Sequence, residues 1–406
     1  MPHGMMPTAA IASPPVVWVL MGNKAGDNTQ VLALAEALGG PFEVKQLAYK
    51  KFEYVHHALF GATIAGVDAD RSAHLGAPWP DLVLSAGRRN EPIARWIKQA
   101  AGPHPVRIVH VGRPWSPLHH FDLIVTTPQY RLPNRPNVVQ NKTPLHRVTA
   151  ERLRSESDLW RPRLADLPRP FTTVVIGGSS GPYSFDHAAA ARLARQANAL
   201  AAEKGGSLLV TTSARTPADT METFEAHVTV PHHVFRWSKD ATENPYFAFL
   251  GLADDIVVTG DSMSMLTEAC WTRKPVHIFD LGEGRNAMRP EVRRAAEIAD
   301  GRSWMLEPTH LRAFLYRLLM RFGPERLSRD IRIIHQNLVA DGRAVWLGDP
   351  FPEDVALPPM RCLDRAVSGV RRVLGQPGTV AVMPTDRADA NSMSWSTSIP
   401  AHRSAA

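Results

Sequence analysis

The chain has 406 residues, of which 44% are hydrophobic and 21% are charged. This ordinary globular composition excludes collagen-like, coiled-coil and wholly disordered proteins, and no apolar run approaches the roughly 20 residues that cross a bilayer. Two cysteines, Cys270 and Cys362, exclude a disulfide framework and a multi-cysteine metal site. We therefore expect a soluble cytoplasmic protein.

The formal net charge of +7 lies entirely in residues 1–170, while the rest of the chain is balanced. Such an asymmetry favours an anionic partner for the first half. A phosphorylated acceptor or the acidic surface of the inner membrane would fit, and a mildly basic surface without a ligand is the plain alternative. Basic residues are not interleaved with aromatic ones, so nucleic acid is not predicted as a partner.

The first half alternates apolar runs with amphipathic segments. Strands are predicted over residues 16–21, 42–47, 81–85, 106–111 and 122–126. Helices are predicted after residue 28, up to the Gly39-Gly40 pair, and from Pro92 to about residue 101. Strands that alternate with helices at this spacing indicate a parallel sheet covered on both faces.

A second series of the same kind follows a stretch rich in Pro and Arg. It has strands over 172–176, 207–212, 255–259 and 275–280, with helices between them. The prediction is therefore α/β, with two tandem Rossmann-like, doubly wound domains that face each other across a cleft. The domains span 16–136 and 171–345, and a linker covers 137–170. A C-terminal helical segment (346–375) and a disordered tail (376–406) complete the chain, and an apolar helix face over 311–322 could pack on the second domain or dock on a membrane surface.

Two loops of the second half have compositions suited to a diphosphate. The first is glycine-rich, and a tight turn without a ligand is its alternative. The second runs from a strand into a helix and carries hydroxyl groups, and its serines could instead only cap the helix while Glu268 completes a capping box. The candidate residues are Gly177, Gly178, Ser179, Ser180 and Gly181 in the first loop, and Gly260, Asp261, Ser262, Ser264 and Glu268 in the second.

Two loops of the first half carry charged side chains at predicted strand ends. Asp27 is a candidate general base if it faces the cleft, and a helix N-cap is the commoner role for such a residue. Arg88 and Arg89 are placed to bind a phosphate or a carboxylate, and Arg113 after the next strand could join them. Solvent-exposed arginines are the alternative.

Several segments together resemble one family, the bacterial relatives of a plant mitochondrial-fission factor, which are sometimes labelled nucleoside-diphosphate-sugar epimerases. They include Gly26-Asp27-Asn28-Thr29-Gln30, Ser85-Ala86-Gly87-Arg88-Arg89, the run 121–130, Thr211-Thr212-Ser213-Ala214-Arg215-Thr216 and the run 244–280. The resemblance implies the two-domain glycosyltransferase architecture called GT-B, with Ser213, Arg215 and Asn244 among the donor-binding residues. Ala214 departs from the Ser-Arg-Arg-Thr-like stretch expected there.

The leading hypothesis is a metal-independent glycosyltransferase. The second domain would bind a nucleotide-diphosphate sugar, the first an anionic or lipid-linked envelope acceptor, and Asp27 would deprotonate the acceptor hydroxyl. No cofactor beyond this substrate is predicted, and no metal ligands. The alternatives are a nucleotide-sugar epimerase of the same architecture and a non-catalytic, membrane-associated scaffold.

Overall fold

A computed structural model describes residues 14–51, 61–299, 329–352 and 357–376. The predicted helix over 311–322 and nearly all of the predicted tail lie outside these residues. Within them the chain forms two six-stranded, fully parallel sheets with helices packed on their faces. The predicted α/β class with two doubly wound domains is confirmed.

The first sheet has the strand order β2-β1-β3-β4-β5-β6. Its last strand is formed by residues of the stretch predicted as a linker. The elements are β1 Val17–Met21, α1 Ala25–Leu38, β2 Glu43–Gln46, β3 Leu82–Ala86, α2 Gly87–Ala100, β4 Arg107–Val111, β5 Leu123–Thr126 and β6 Val138–Gln140.

The second sheet has the order β12-β11-β10-β7-β8-β9. Counted from its own first strand, this is the strand order of dinucleotide-binding folds. A helix from the linker stretch, α3 Ala150–Trp160, leads into it. The remaining elements are β7 Phe171–Val175, α4 His187–Glu203, β8 Ser207–Thr211, α5 Ala218–Ala226, β9 His232–Phe235, α6 Tyr246–Leu252, β10 Asp255–Thr259, α7 Met263–Trp271, β11 Val276–Phe279, α8 Pro290–Ala299, α9 Arg332–Ala340 and β12 Val345–Trp346.

Hydrophobic burial explains the regularity of the second domain. Strands β7, β8 and β10 are buried on both faces, which is expected when helices cover both sides of a parallel sheet. Helix α4 packs an alanine-rich face into this core, and the Asp186 carboxylate caps its start by accepting the amide of Ala189 at 2.9 Å.

Over the residues that the structure describes, the chain crosses between the domains twice. After β12 it returns to the first domain, where helix α10 (Cys362–Val373) buries Ala366, Val367 and Val370 in the same core cluster as β1, β3 and α1. On the other crossing, α3 packs against α6 of the second domain. None of the described helices is both long and apolar enough to span a lipid bilayer.

Candidate functional site

Both sheets direct the carboxyl ends of their strands toward one cleft of about 1620 Å³. The strand order reverses between β1 and β3 in the first sheet and between β7 and β10 in the second. Ligands of open α/β sheets bind outside the carboxyl ends at such reversal points. The loops after these four strands are the ones singled out in the sequence.

Asp27 lies in the first turn of α1 and lines the cleft. It is not the N-cap, because that position belongs to Lys24, whose side chain makes no capping hydrogen bond. The Asn28 side chain holds the preceding loop by accepting the amide of Gly22 at 3.0 Å and donating to its carbonyl at 2.8 Å. Burial raises the pKa of Asp27, although Lys24 and Arg329 act to lower it.

Gly87 brings the start of α2 against the Asp27 carboxylate. Its φ is +76°, and a Cβ at this position would lie 2.4 Å from Asp27 Oδ2. Glycine adopts that conformation without strain and leaves room for the carboxylate beside it. No side chain caps the start of α2, where Ala86 is the N-cap. The Asp27 carboxylate therefore lies beside a second helix start as well as in its own.

The predicted acceptor arginines all stack on aromatic rings of the first domain. The Arg88 guanidinium lies 4.7 Å from the Trp115 ring centre, and that of Arg113 lies 5.7 Å from the Tyr130 ring centre. Both line the cleft. Arg89 lies over Tyr49 at 5.2 Å and instead lines a small pocket of about 20 Å³ beside Asp27.

A buried carboxylate that the sequence did not reveal shapes this wall. Glu91, in α2, accepts the backbone amides of Trp115 and Ser116 at 2.6 and 2.7 Å. These bonds hold the loop after β4, so that the half-exposed Trp115 ring faces the cleft. Burial of a carboxylate costs free energy unless such donors satisfy it.

On the opposite wall, the glycine-rich turn after β7 is tied to neighbouring loops. The amide of Gly177 donates to Thr259 Oγ1 at 2.8 Å, and the Ser213 hydroxyl donates to the Gly177 carbonyl. Gly178 forms an isolated parallel bridge with Arg215. Gly177 and Gly178 lie behind the cleft surface, whereas Ser179, Ser180, Gly181, Ser213, Arg215 and Asn244 line it.

Arg215 and Asp261, both predicted to bind the donor, form an ion pair with each other. The guanidinium lies 2.6 Å from Asp261 Oδ2, and it also donates to the Ser179 carbonyl at 3.2 Å. Thr259 donates to the other carboxylate oxygen at 2.7 Å. Burial raises the pKa of Asp261, and Arg215 is the largest opposing influence. The pair thus joins the loop after β8 to the loop after β10 in addition to lining the site.

We expect Arg215→Met to lower the free energy of unfolding by about 1–3 kcal/mol, because the buried Asp261 carboxylate loses its cation. Without Arg215 the folded-state pKa of Asp261 rises further above the unfolded value. As pH falls, the Asp261 carboxyl of this variant is protonated in the folded state before it is protonated in the unfolded chain. The loss of unfolding free energy relative to the wild type therefore becomes smaller. Urea unfolding at about pH 8 and about pH 5 measures this. Arg163→Met removes the exposed pair with Glu243 and should leave the free energy of unfolding close to that of the wild type.

The bend after β10 faces the first domain. Ser262 is the N-cap of α7 but makes no side-chain capping bond, so the predicted alternative of a simple serine cap does not describe it. Ser262 and Ser264 line the cleft, while Gly260 lies behind it. A methyl group added at Gly26, in the first turn of α1, would lie 3.7 Å from Ser264 Oγ. The starts of α1 and α7 therefore meet across the cleft.

Glu268 lies one turn further along α7, buried at the cleft edge. It does not complete a capping box, because it accepts a hydrogen bond from the Tyr246 hydroxyl. Burial raises its pKa to about 7 against the opposing effects of Tyr246 and of Arg152. The Asn244 side chain accepts the Tyr246 amide at 3.0 Å and so orders the start of α6.

Arg152 is a cleft residue that the sequence pattern did not indicate. It projects from α3, in the segment predicted as a linker, and its guanidinium lies 3.8 Å from the Phe247 ring centre. With it, basic side chains outnumber acidic ones along the described cleft, so the site favours an anion. The basic residues are Lys24, Arg88, Arg113, Arg147, Arg152, Arg215, Lys239 and Arg329, and the acidic ones are Asp27, Asp186, Asp219, Asp261 and Glu268.

Comparison with known proteins assigns the chain to a family. The sequence model of the family described as "Mitochondrial fission ELM1" matches residues 25–296, which include both cleft walls. The chain belongs to the Mitochondrial fission ELM1 family. The match begins at the first residue of α1 and ends inside α8.

Two curated relatives and one solved structure illustrate the similarity. The Mitochondrial fission protein ELM1 of Arabidopsis thaliana is 29% identical over 49% of this chain, and the match spans only 51% of the plant protein. An uncharacterised protein of Rickettsia prowazekii is 22% identical over 65% of this chain and 82% of its own length. A UDP-glucosyltransferase from Polygonum tinctorium is 12% identical over 91% of this chain and all of that one, with a TM-score of 0.43.

Among the described residues, no group of three or more His, Cys, Asp or Glu side chains is arranged to hold a metal ion. That the reaction needs no metal ion stays a prediction, because the arrangement of these side chains does not test how the reaction proceeds.

Proposed function

We propose that this ELM1-family chain is a glycosyltransferase that moves a sugar from a nucleotide-diphosphate donor to an anionic or lipid-linked acceptor. The observation that carries the proposal is the meeting of two helix starts without side-chain caps, α1 and α7, beside the half-buried Asp27 carboxyl. Uncapped helix starts present amide groups and positive dipole ends, which suit the charge that develops on a departing diphosphate.

The second domain would bind the donor. The amides at the start of α7 and the hydroxyls of Ser262 and Ser264 would contact the diphosphate. Glu268 would accept hydrogen bonds from ribose hydroxyls, and Ser179 to Gly181 would contact the donor from the neighbouring loop. Arg215, which pairs with Asp261 and donates to the Ser179 carbonyl, would fix the distance between these two loops.

The first domain would bind the acceptor. Arg88 and Arg113, held against Trp115 and Tyr130, would contact its anionic group. Asp27 would remove the proton from the attacking hydroxyl, and its raised pKa makes it a stronger base than an exposed aspartate. A phosphate on the acceptor would also explain why the net positive charge lies in the first half of the chain.

A thermal-shift screen with UDP, GDP, CDP, dTDP and ADP tests the donor site. A ligand that binds only the folded state raises its stability by mass action, about 2.7 kcal/mol at a hundredfold excess over Kd. Stabilisation by one diphosphate supports the proposal and names the donor class. Turnover is then measured as diphosphate release from the matching nucleotide sugars with phosphorylated lipid acceptors. Isomerisation of the sugar nucleotide without an acceptor would establish the epimerase, and no binding by any nucleotide would favour the scaffold.

We expect Glu268→Gln to weaken binding of the selected nucleoside diphosphate about tenfold or more, because hydrogen bonds to a charged group contribute about 1.5–3 kcal/mol. Since the pKa of Glu268 is about 7, wild-type affinity should rise as the carboxyl deprotonates above that pH. Calorimetric titration across this range measures the effect. The diphosphate also titrates, so the Glu268→Gln profile is the baseline, and identical pH profiles for the two proteins would contradict the role.

Tyr246→Phe provides a second check on Glu268. The Tyr246 hydroxyl donates to the Glu268 carboxylate and lowers its pKa. Its removal should therefore shift the midpoint of the affinity profile to higher pH, while the affinity at the alkaline end recovers toward that of the wild type.

A further inference from the structure

Helix α9 contacts the first domain at its start. The amide of Asp330, just before the helix, donates to the Gln129 carbonyl at 3.0 Å, and Arg329 donates to the Gln129 side chain at 2.8 Å. The Asp330 carboxylate also pairs with Arg131 at 3.1 Å. Gln129 and Arg131 belong to the turn that follows β5 in the first domain.

The same helix contacts the bend after β10 on the side away from the cleft. The His335 Nε2 atom lies 2.7 Å from the Gly260 carbonyl oxygen, and the imidazole is fully buried against Trp346. A carbonyl only accepts, so Nε2 carries the hydrogen. Burial lowers the pKa of His335 to about 4, which keeps the ring neutral near pH 7.

The bend is closely packed on the side of α9. A Cβ at Gly260 would lie 3.4 Å from His335 Cε1, and the shorter contacts there would be with Met288 Sδ at 2.6 Å and the Phe279 carbonyl oxygen at 3.2 Å. Helix α9 is itself fixed in the core of the second domain through Ile334 and Leu338. A displacement at the start of this nine-residue helix therefore changes the position of the His335 ring under the bend.

We propose that His335 is a positioning residue for the bend at residues 260–264, and that α9 couples contact with the first domain to the geometry of this bend. The coupling itself is a property of the fold, and only the identity of the bend's ligand rests on the proposed function.

Hydrogen–deuterium exchange of the ligand-free protein tests the coupling. The informative amides are those of Gly260 and Ser262 in the bend and that of Leu266 in α7, which donates to the Ser262 carbonyl. Arg131→Ala should speed their exchange about fivefold or more, the low end of ordinary coupling energies. His335→Leu should do the same, while His335→Gln, which retains a donor, should stay close to wild type. Lys142→Ala removes another ion pair between the domains, with Asp341 beyond the end of α9, and should leave the bend unchanged.

The double variant separates coupling from independent damage. Arg131→Ala added to His335→Leu should speed exchange no further than His335→Leu alone, because the path is already broken. Unchanged exchange at the bend in Arg131→Ala, or equal effects of Lys142→Ala, would overturn the proposal. If His335→Leu does not fold, Arg131→Ala and His335→Gln still decide whether α9 couples the two contacts. In Arg131→Ala the Asp330 carboxylate keeps a cation, because Arg332 pairs with it at 2.8 Å.

Binding of UDP and of inorganic pyrophosphate distinguishes this inference from the proposed function. Arg131→Ala should weaken both about fivefold, with Lys142→Ala as the unaffected control. If wild type binds neither probe, the proposed donor site fails, and the exchange experiment still decides whether α9 couples the domains. If wild type binds pyrophosphate with the same affinity in Arg131→Ala, the coupling is wrong and the donor site stands.

Discussion

Asp27→Asn is expected to lower the rate of sugar transfer by about 10²–10⁴-fold, the usual contribution of a general base. The amide has nearly the same shape beside Gly87 but cannot accept the proton of the acceptor hydroxyl. Affinity for the nucleoside diphosphate should not fall, because the side chains proposed to contact the bound diphosphate, Ser262 and Ser264, lie in the second domain and the substitution removes a negative charge near it. The measurement is diphosphate release with the donor and acceptor that turn over in wild type, together with the Kd of the diphosphate.

The pH dependence of transfer gives an independent check on Asp27. Because burial raises its pKa, the acidic limb of the rate profile should lie above the value of about 4 that is usual for an exposed aspartate. The rate should rise with pH along that limb. Asp166→Asn, at an exposed position, is the matched control and should retain wild-type turnover. Undiminished transfer in Asp27→Asn would remove the residue from the mechanism.

Gly178→Ala is expected to destabilise the protein by about 3 kcal/mol or more. The residue has a φ of +123°, and a Cβ there would lie 2.3 Å from the Arg215 carbonyl oxygen and 2.5 Å from its carbon. Both are backbone atoms, so a rotamer change cannot relieve the clash. The turn must separate from the 215 loop, and nucleotide binding should be lost with it. Urea unfolding and the thermal-shift response measure the two effects.

Gly205→Ala separates the cost of a positive φ from the cost of the clash with the Arg215 backbone. Gly205 also has a positive φ, of +63°, but a Cβ there would meet nothing within 4 Å. Its substitution should cost only the left-handed backbone conformation, about 1–2 kcal/mol, and should leave nucleotide binding intact. Equal losses for the two alanine variants would show that contact with Arg215 does not constrain the turn.

Most of the fold could be predicted because the central strands are long, apolar and separated by glycine-containing loops. The edge strands β6, β9 and β12 were missed. They have three, four and two residues, and β9 begins with His232 and His233. Such strands depend on pairing with a neighbour more than on their own hydrophobicity, so periodicity does not reveal them.

The site was predictable as a set of loops but not as a set of contacts. Strand ends in a parallel sheet share one edge, and this placed Asp27, Ser262 and Glu268 at a cleft. Nothing in the spacing indicated that Asp261 would pair with Arg215, or that Arg152, from a stretch without sheet periodicity, would lie near enough to Glu268 to lower its pKa. These interactions join segments that are distant in sequence, and only the three-dimensional packing determines them.

The second crossing of the chain has a consequence for biogenesis. Helix α10, at residues 362–373, completes the hydrophobic core that β1 and α1 begin. During synthesis, residues 14–140 leave the ribosome long before this helix is made. The apolar surface that α10 covers therefore stays exposed on the amino-terminal domain while the second domain is translated. Truncation before residue 362 should therefore cause aggregation through the amino-terminal half, far from the site of the deletion.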